Sequence, residues 1–131
     1  DQRKKFQLAK DSFDNLIKMA KKHKLKIAFG SDLFLSKEMY DFQSQEWVAR
    51  SKYFTPVENL MQATSIGAEL IELSGPRNRY QEGPLGVIKK GAYADILLIE
   101  GDVMNDITVL ADPVNNIDLI MKDGVIYKNS L

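Results

Sequence analysis

Few residues in this chain are equipped for chemistry, and one carboxylate stands out by its placement. Lys26-Ile27-Ala28-Phe29-Gly30-Ser31-Asp32 is an apolar run that climbs to a glycine and is followed almost at once by an acid. An α/β protein presents a catalytic acid in this way, at the carboxyl end of a strand. Asp32 is therefore the candidate for proton transfer or metal ligation, with a carboxylate that only caps the next turn as the alternative. The single histidine, His23, lies before that strand, at its amino end, and reads as an exposed helix-end residue. There is no cysteine, which excludes disulfides, thiolate ligands and a cysteine nucleophile within the chain.

The elements that must position Asp32 follow from periodicity. Phe6, Ala9, Phe13, Leu16, Ile17 and Ala20 recur at steps of three or four, which predicts a helix over residues 4–22 with lysines crowding its last turn. Leu25 to Phe29 is expected to be a short strand, and a helix feeding a strand argues for α/β layering with a parallel sheet. Ser36 is placed to cap a helix that has Glu38 near its start, and Glu46-Trp47-Val48-Ala49-Arg50 suits a helix or a substrate loop. Leu33, Phe34, Tyr40, Gln43 and Glu46 fall where such a loop would lie, with core packing an equal explanation. Trp47 reads as packing and Ser31 as a turn residue.

Thr55-Pro56-Val57-Glu58 is a capping box with proline in the first helical position, opening a helix over residues 56–73 that Ser74-Gly75-Pro76 stops. Arg77, Arg79 and Tyr80 fall in a loop and read as solvated. The period then changes. Ala94 to Ile99 has strand length and a composition suited to burial on both faces, and Asp95 is expected to make a structural hydrogen bond. Asp123-Gly124 between two apolar runs predicts a hairpin. The tail is thus a small sheet rather than another helical layer, and the chain divides into residues 1–80 and 81–131. One helix-strand-helix unit cannot cover both faces of its strand, and a small sheet needs a second layer, so neither part is complete alone.

The 131 residues are 44% hydrophobic and 27% charged, enough for one domain with a core. Lys plus Arg equals Asp plus Glu at 18 each, so no basic excess points to nucleic acid or a membrane surface, and neither is expected as a partner. No apolar run approaches the ~18 residues of a spanning helix. The compartment is left open, with a soluble, cytoplasmic protein expected ahead of a periplasmic or secreted one. The chain begins without Met at an amphipathic helix, as a processed protein or a fragment would.

Three motifs together resemble the C-terminal part of the amidohydrolase superfamily of metal-dependent hydrolases. Phe29-Gly30-Ser31-Asp32 is similar to the end of the eighth barrel strand. Thr55-Pro56-Val57-Glu58-Asn59-Leu60, with Ala63-Thr64 and Gly67-Ala68, is similar to the helix that closes the barrel. Gly86-Val87-Ile88-Lys89-Lys90-Gly91-Ala92-Tyr93-Ala94-Asp95-Ile96-Leu97-Leu98-Ile99 resembles the return into a small β-sandwich, and Ile117 through Asn129 fits the same pattern. The nearest likeness is to imidazolonepropionase-related, Xaa-Pro dipeptidase (prolidase)-like and carboxypeptidase-like members.

The resemblance implies an α/β fold: the C-terminal part of a (β/α)₈ TIM-type barrel over residues 1–80, then part of the β-sandwich over 81–131. Such barrels need ~250 residues, so a fragment is expected, with the N-terminal part of the same protein as its partner. The implied activity is hydrolysis of C–N bonds in small-molecule, dipeptide or cyclic amide substrates by metal-activated water. The implied cofactor is one or two divalent ions, zinc first. Asp32 matches the aspartate that ligates the metal and carries the proton. The family's His-x-His pair, lysine or glutamate and two further histidines have no match here, so the chain alone is expected to bind no catalytic metal tightly and to be inactive. Unpaired edges predict self-association, and a homo-oligomer is expected. A non-enzymatic α+β interaction module is the alternative reading. A receiver-type phosphoacceptor fits less well, lacking an acidic pair on an earlier strand.

Overall fold

The computed structural model describes residues 1–33 and 36–131, with every side chain among them except that of Asp41. Phe34, named above for the loop, and Leu35 lie outside the described residues. Helix α1 (Gln2–Lys22) starts at Asp1, whose carboxylate accepts from the Arg3 N–H at 3.1 Å. It ends in a Schellman turn. The Leu25 N–H donates to the Ala20 carbonyl at 2.9 Å and the Lys24 N–H to the Lys21 carbonyl at 3.1 Å. That turn holds Lys24 at φ 52°, where a Cβ costs about 1–2 kcal/mol. Lys24→Gly should therefore stabilise the chain by about 1 kcal/mol in urea denaturation. A loss of stability would mean that the lysine side chain outweighs its backbone strain.

Only the last turns of α1 dock. Ile17 and Ala20 are buried, while Phe6 and Leu8 remain 74% and 68% exposed. Phe13 meets Tyr53 edge to face at 5.5 Å, and the Tyr53 hydroxyl donates to Asp14 at 2.6 Å. That hydrogen bond raises the Tyr53 pKa above its ordinary value. Lys21 bonds the Tyr53 carbonyl and sits over the Phe54 ring at 4.8 Å.

Two short helices follow, α2 (Lys37–Asp41) and α3 (Gln45–Ser51), with Ser36 capping α2 as expected. Helix α4 (Pro56–Ala63) opens on the complete capping box, the Glu58 N–H on Thr55 Oγ1 at 3.2 Å and the Thr55 N–H on Glu58 Oε2 at 2.7 Å. Asn59, fully buried, donates to the carbonyls of Phe54 and Thr55 and so fixes the entry to α4. The helix expected over 56–73 breaks at Thr64 (φ −118°, ψ −98°) and resumes as α5 (Ser65–Glu72). Gly86 explains the break. It packs so tightly on Thr64 that a Cβ there would lie 2.5 Å from the Thr64 carbonyl.

The tail carries an antiparallel sheet in the order β1 (Ile96–Ile99), β2 (Ile117–Lys122), β3 (Val125–Asn129). The β2–β3 hairpin turns on Asp123 and Gly124, both at positive φ, as a two-residue type I′ turn requires. Asp95 makes the expected structural bond, accepting from the Asp123 N–H at 2.7 Å. The tail is not sheet alone. A 3₁₀ turn (Ile107–Ala111) and a short helix α6 (Pro113–Asn116) cross between β1 and β2. Ile107, Leu110 and Ile117 form the buried centre, and Trp47 and Leu60 pack against it from the helical half.

Three aspartates cap this crossing. Asn105 beside Asp102, Thr108 beside Asp106 and Asn115 beside Asp112 hold each carboxyl below its ordinary pKa through hydrogen bonds. A carboxyl depressed by folding contributes stability above its unfolded value, about 3.9, and loses it as pH falls through the folded value. Trp47 fluorescence, reporting on this core, should hold from about pH 7 to 5 and be lost only below about pH 4. A transition centred above about pH 5 would show that these caps are not what holds the crossing.

Four expectations need correction. Leu25 to Phe29 forms no strand, because no strand among the described residues lies beside it to bond its backbone; the sheet that is described, antiparallel, is that of the tail. The single helix over 56–73 is two. The β1 run is not buried on both faces: Ile96, Leu97 and Leu98 are 39–50% exposed. Tyr80 is not solvated but half-buried, edge to face with Tyr93 at 5.4 Å and under the Lys122 ammonium at 5.2 Å.

The sheet register places three of the exposed apolar residues, Ile96, Leu98 and Ile126, on one face with the half-buried Leu119 and Met121. Ile96 pairs with Met121 and Met121 with Ile126; Leu98 pairs with Leu119. These five share the face turned away from Ile107. A compact monomer of 14.9 kDa exposes about 7,000 Å², whereas this chain exposes 10096 Å². The excess, about 3,000 Å², is the size of an obligate interface. The isolated chain is expected to scatter light as an oligomer or aggregate; a well-behaved monomer would count against an unfilled second layer.

Candidate functional site

Asp32 sits three residues beyond Phe29, exposed, at φ 54°. Left-handed backbone is uncommon for residues other than glycine, though aspartate is among those that tolerate it. Strain of that kind collects at functional positions. What holds the approach to Asp32 is the peptide group joining Ala28 to Phe29. Its N–H donates to the Gln62 backbone carbonyl at 3.0 Å, and its carbonyl accepts from Arg50 Nη2 at 3.0 Å. Arg50 also bonds the Gln62 side chain, and its Nε donates to Glu46 at 2.8 Å. The Phe29 ring lies between the Arg50 guanidinium, at 4.9 Å, and the Trp47 ring, at 4.2 Å. So α3, α4 and the segment 25–29 meet at the residues that lead into the acid.

The other residues named from sequence are not gathered around Asp32. Glu46 is paired with Arg50, Trp47 packs on Phe29 and the tail core, and Tyr40 is 52% exposed. His23 closes α1 as its C-cap, in keeping with an exposed helix end. Glu38, in the first turn of α2, has its carboxyl held below the ordinary range by its own backbone N–H and by Ser36. A groove of about 520 Å³ beside the segment, lined by Lys26, Ala28, Ile66, Glu69, Leu70 and Leu73, does not include Asp32.

The donor set does not fit a resident metal. Among the described residues no three His, Cys, Asp or Glu side chains converge where an ion could bind, and a catalytic zinc takes three protein ligands. Asp32 alone is one donor of such a set. No described helix is long and apolar enough to cross a membrane. Arg50 was the residue hardest to foresee. The only sequence signal for it is the Glu46–Arg50 pair at helical spacing, and its two other partners lie twelve and twenty-two residues away.

Comparison with solved structures finds relatives for this chain. A crystal structure of an amidohydrolase matches at 31% identity and a TM-score of 0.75, over 89% of this chain and 26% of that one. The chain is related to the amidohydrolase superfamily. A second match, an uncharacterized protein, gives 30% identity and a TM-score of 0.73 over 88% of this chain and 26% of that one. A prolidase in complex with N-methylphosphonate-L-proline gives 31% and 0.72, over 88% and 26%. This amidohydrolase-related chain thus spans about a quarter of the length of the structures it matches. No family model and no curated protein matches it.

Proposed function

We propose that the chain is the closing portion of a longer metal-dependent amidohydrolase that cleaves C–N bonds in dipeptide-like or cyclic amide substrates. In this reading residues 1–80 finish a (β/α)₈ barrel, residues 81–131 supply part of a β-sandwich, and Asp32 stands at the barrel mouth. The observation that carries it is the 31% identity with an amidohydrolase over 89% of the chain, covering only 26% of that protein. The exposed second face of the sheet and the segment 25–29, beside which no described strand lies, support it, since both leave room for further layers. The prolidase match favours substrates with an amide joined to an amino acid, proline among them.

Amide hydrolysis needs a proton handed to the departing amine, and a carboxylate held beside the reacting bond can take and return one. That is the role assigned to Asp32. A divalent metal, zinc first, is part of the proposal for the whole protein, but the residues present here do not compose its site. The test is an assay of the full-length protein on Xaa-Pro and other dipeptides, N-acyl amino acids and cyclic amides, with zinc or manganese supplied and then chelated. Chelator-sensitive release of amino acid is expected. Hydrolysis unaffected by chelation, or none across the panel, would overturn the proposal.

A further inference from the structure

We propose that Arg50 is a positioning residue for Asp32, setting the direction of the acid by locking the peptide group three residues before it. The proposal rests on the reading of Asp32 given above. One peptide group, Ala28–Phe29, is bonded at both ends: its N–H to the Gln62 carbonyl and its carbonyl to Arg50, each at 3.0 Å. Arg50 and Gln62 are bonded to each other, which closes a ring around that peptide. Glu46 holds the guanidinium from behind at 2.8 Å, and the Arg50 side chain is only 13% exposed. Its planar fork serves three acceptors on three elements at once, a geometry that lysine cannot reproduce. Between the clamp and Asp32 lie only Gly30 and Ser31. Because Gly30 adds backbone freedom of its own, the entry to this short link needs a fixed starting point, and the doubly bonded Ala28–Phe29 peptide supplies it.

The experiment uses the full-length protein with Arg50→Lys. The Phe29 amide should exchange with deuterium about tenfold faster or more, while the Ile107 and Leu110 amides keep their protection. The kcat should fall about 10- to 100-fold with KM within about twofold, since misplacing a reacting group by about an ångström costs that much. In an Asp32→Asn background, Arg50→Lys should have little further effect, because both changes act through the same group. Full additivity there, or unaltered kcat in Arg50→Lys when Asp32→Asn is inactive, overturns the proposal. An unaltered rate in Asp32→Asn defeats the reading of Asp32 instead, and Phe29 exchange still judges the clamp: unchanged exchange overturns it. If Arg50→Lys does not fold, Gln62→Met removes the side-chain acceptor but keeps the carbonyl on Phe29. It should give the same kcat-selective loss at about three- to tenfold, and an unaltered kcat would again refute the clamp.

Discussion

Asp32→Asn in the full-length protein is expected to lower kcat for amide hydrolysis about a thousandfold while leaving the fold unchanged. General acid–base groups contribute about 10²- to 10⁴-fold, and asparagine can neither take nor return the proton. The structural side of the substitution is nearly silent. Asp32 is exposed and at φ 54°, a conformation that asparagine adopts at least as readily. Asp32→Ala would be a poorer probe, since alanine adds about 1–2 kcal/mol of backbone strain to any chemical loss. Steady-state rates with a thermal melt on the same preparation separate the two effects. A full rate with an intact melt would reduce Asp32 to a turn residue.

Gly86→Ala is expected to destabilise the protein by about 2–5 kcal/mol. Two costs combine. The residue stands at φ 66°, which a Cβ penalises by about 1–2 kcal/mol. The new methyl would also lie 2.5 Å from the Thr64 carbonyl carbon and oxygen and 2.9 Å from the Ser65 nitrogen. Those are backbone atoms at the break between α4 and α5, so they cannot rotate away, and overpacking costs about 1–3 kcal/mol more. Gly91→Ala is the control: its φ is 84° but nothing lies within 4 Å, so only the backbone cost of about 1–2 kcal/mol remains. Urea denaturation followed by Trp47 fluorescence compares them. Equal losses at the two positions would mean that Gly86 does not rest on the helix break.

What the chain discloses before folding is whatever its neighbours in sequence decide. The α1 stripe, the Thr55–Glu58 capping box, the Ser36 cap and the Asp123-Gly124 turn are settled within four residues, and each forms where expected. Features that depend on distant partners were hidden. Leu25 to Phe29 has strand composition, yet a strand exists only when another backbone bonds it. Ile96 to Ile99 has the composition of a doubly covered strand, and the second cover is not in this chain. The break at Thr64 depends on Gly86, twenty-two residues on. At the site, the identity of the acid was legible and the support was not. Nothing adjacent to Arg50 signals that its guanidinium reaches Ala28, and Tyr80 looked solvated because Lys122 and Tyr93 lie far along the sequence.

The Phe29–Trp47 stack has a practical consequence. Trp47 touches the approach to Asp32 on one side and the Ile107 cluster on the other, so the tail serves as the back wall of the segment that carries the acid. Any shortened version that stops near residue 80 would remove that wall and leave Trp47 without its packing partners. Exchanging the tail for one from a relative would need Ile107, Leu110 and Ile117 kept, to match the Trp47 that stays.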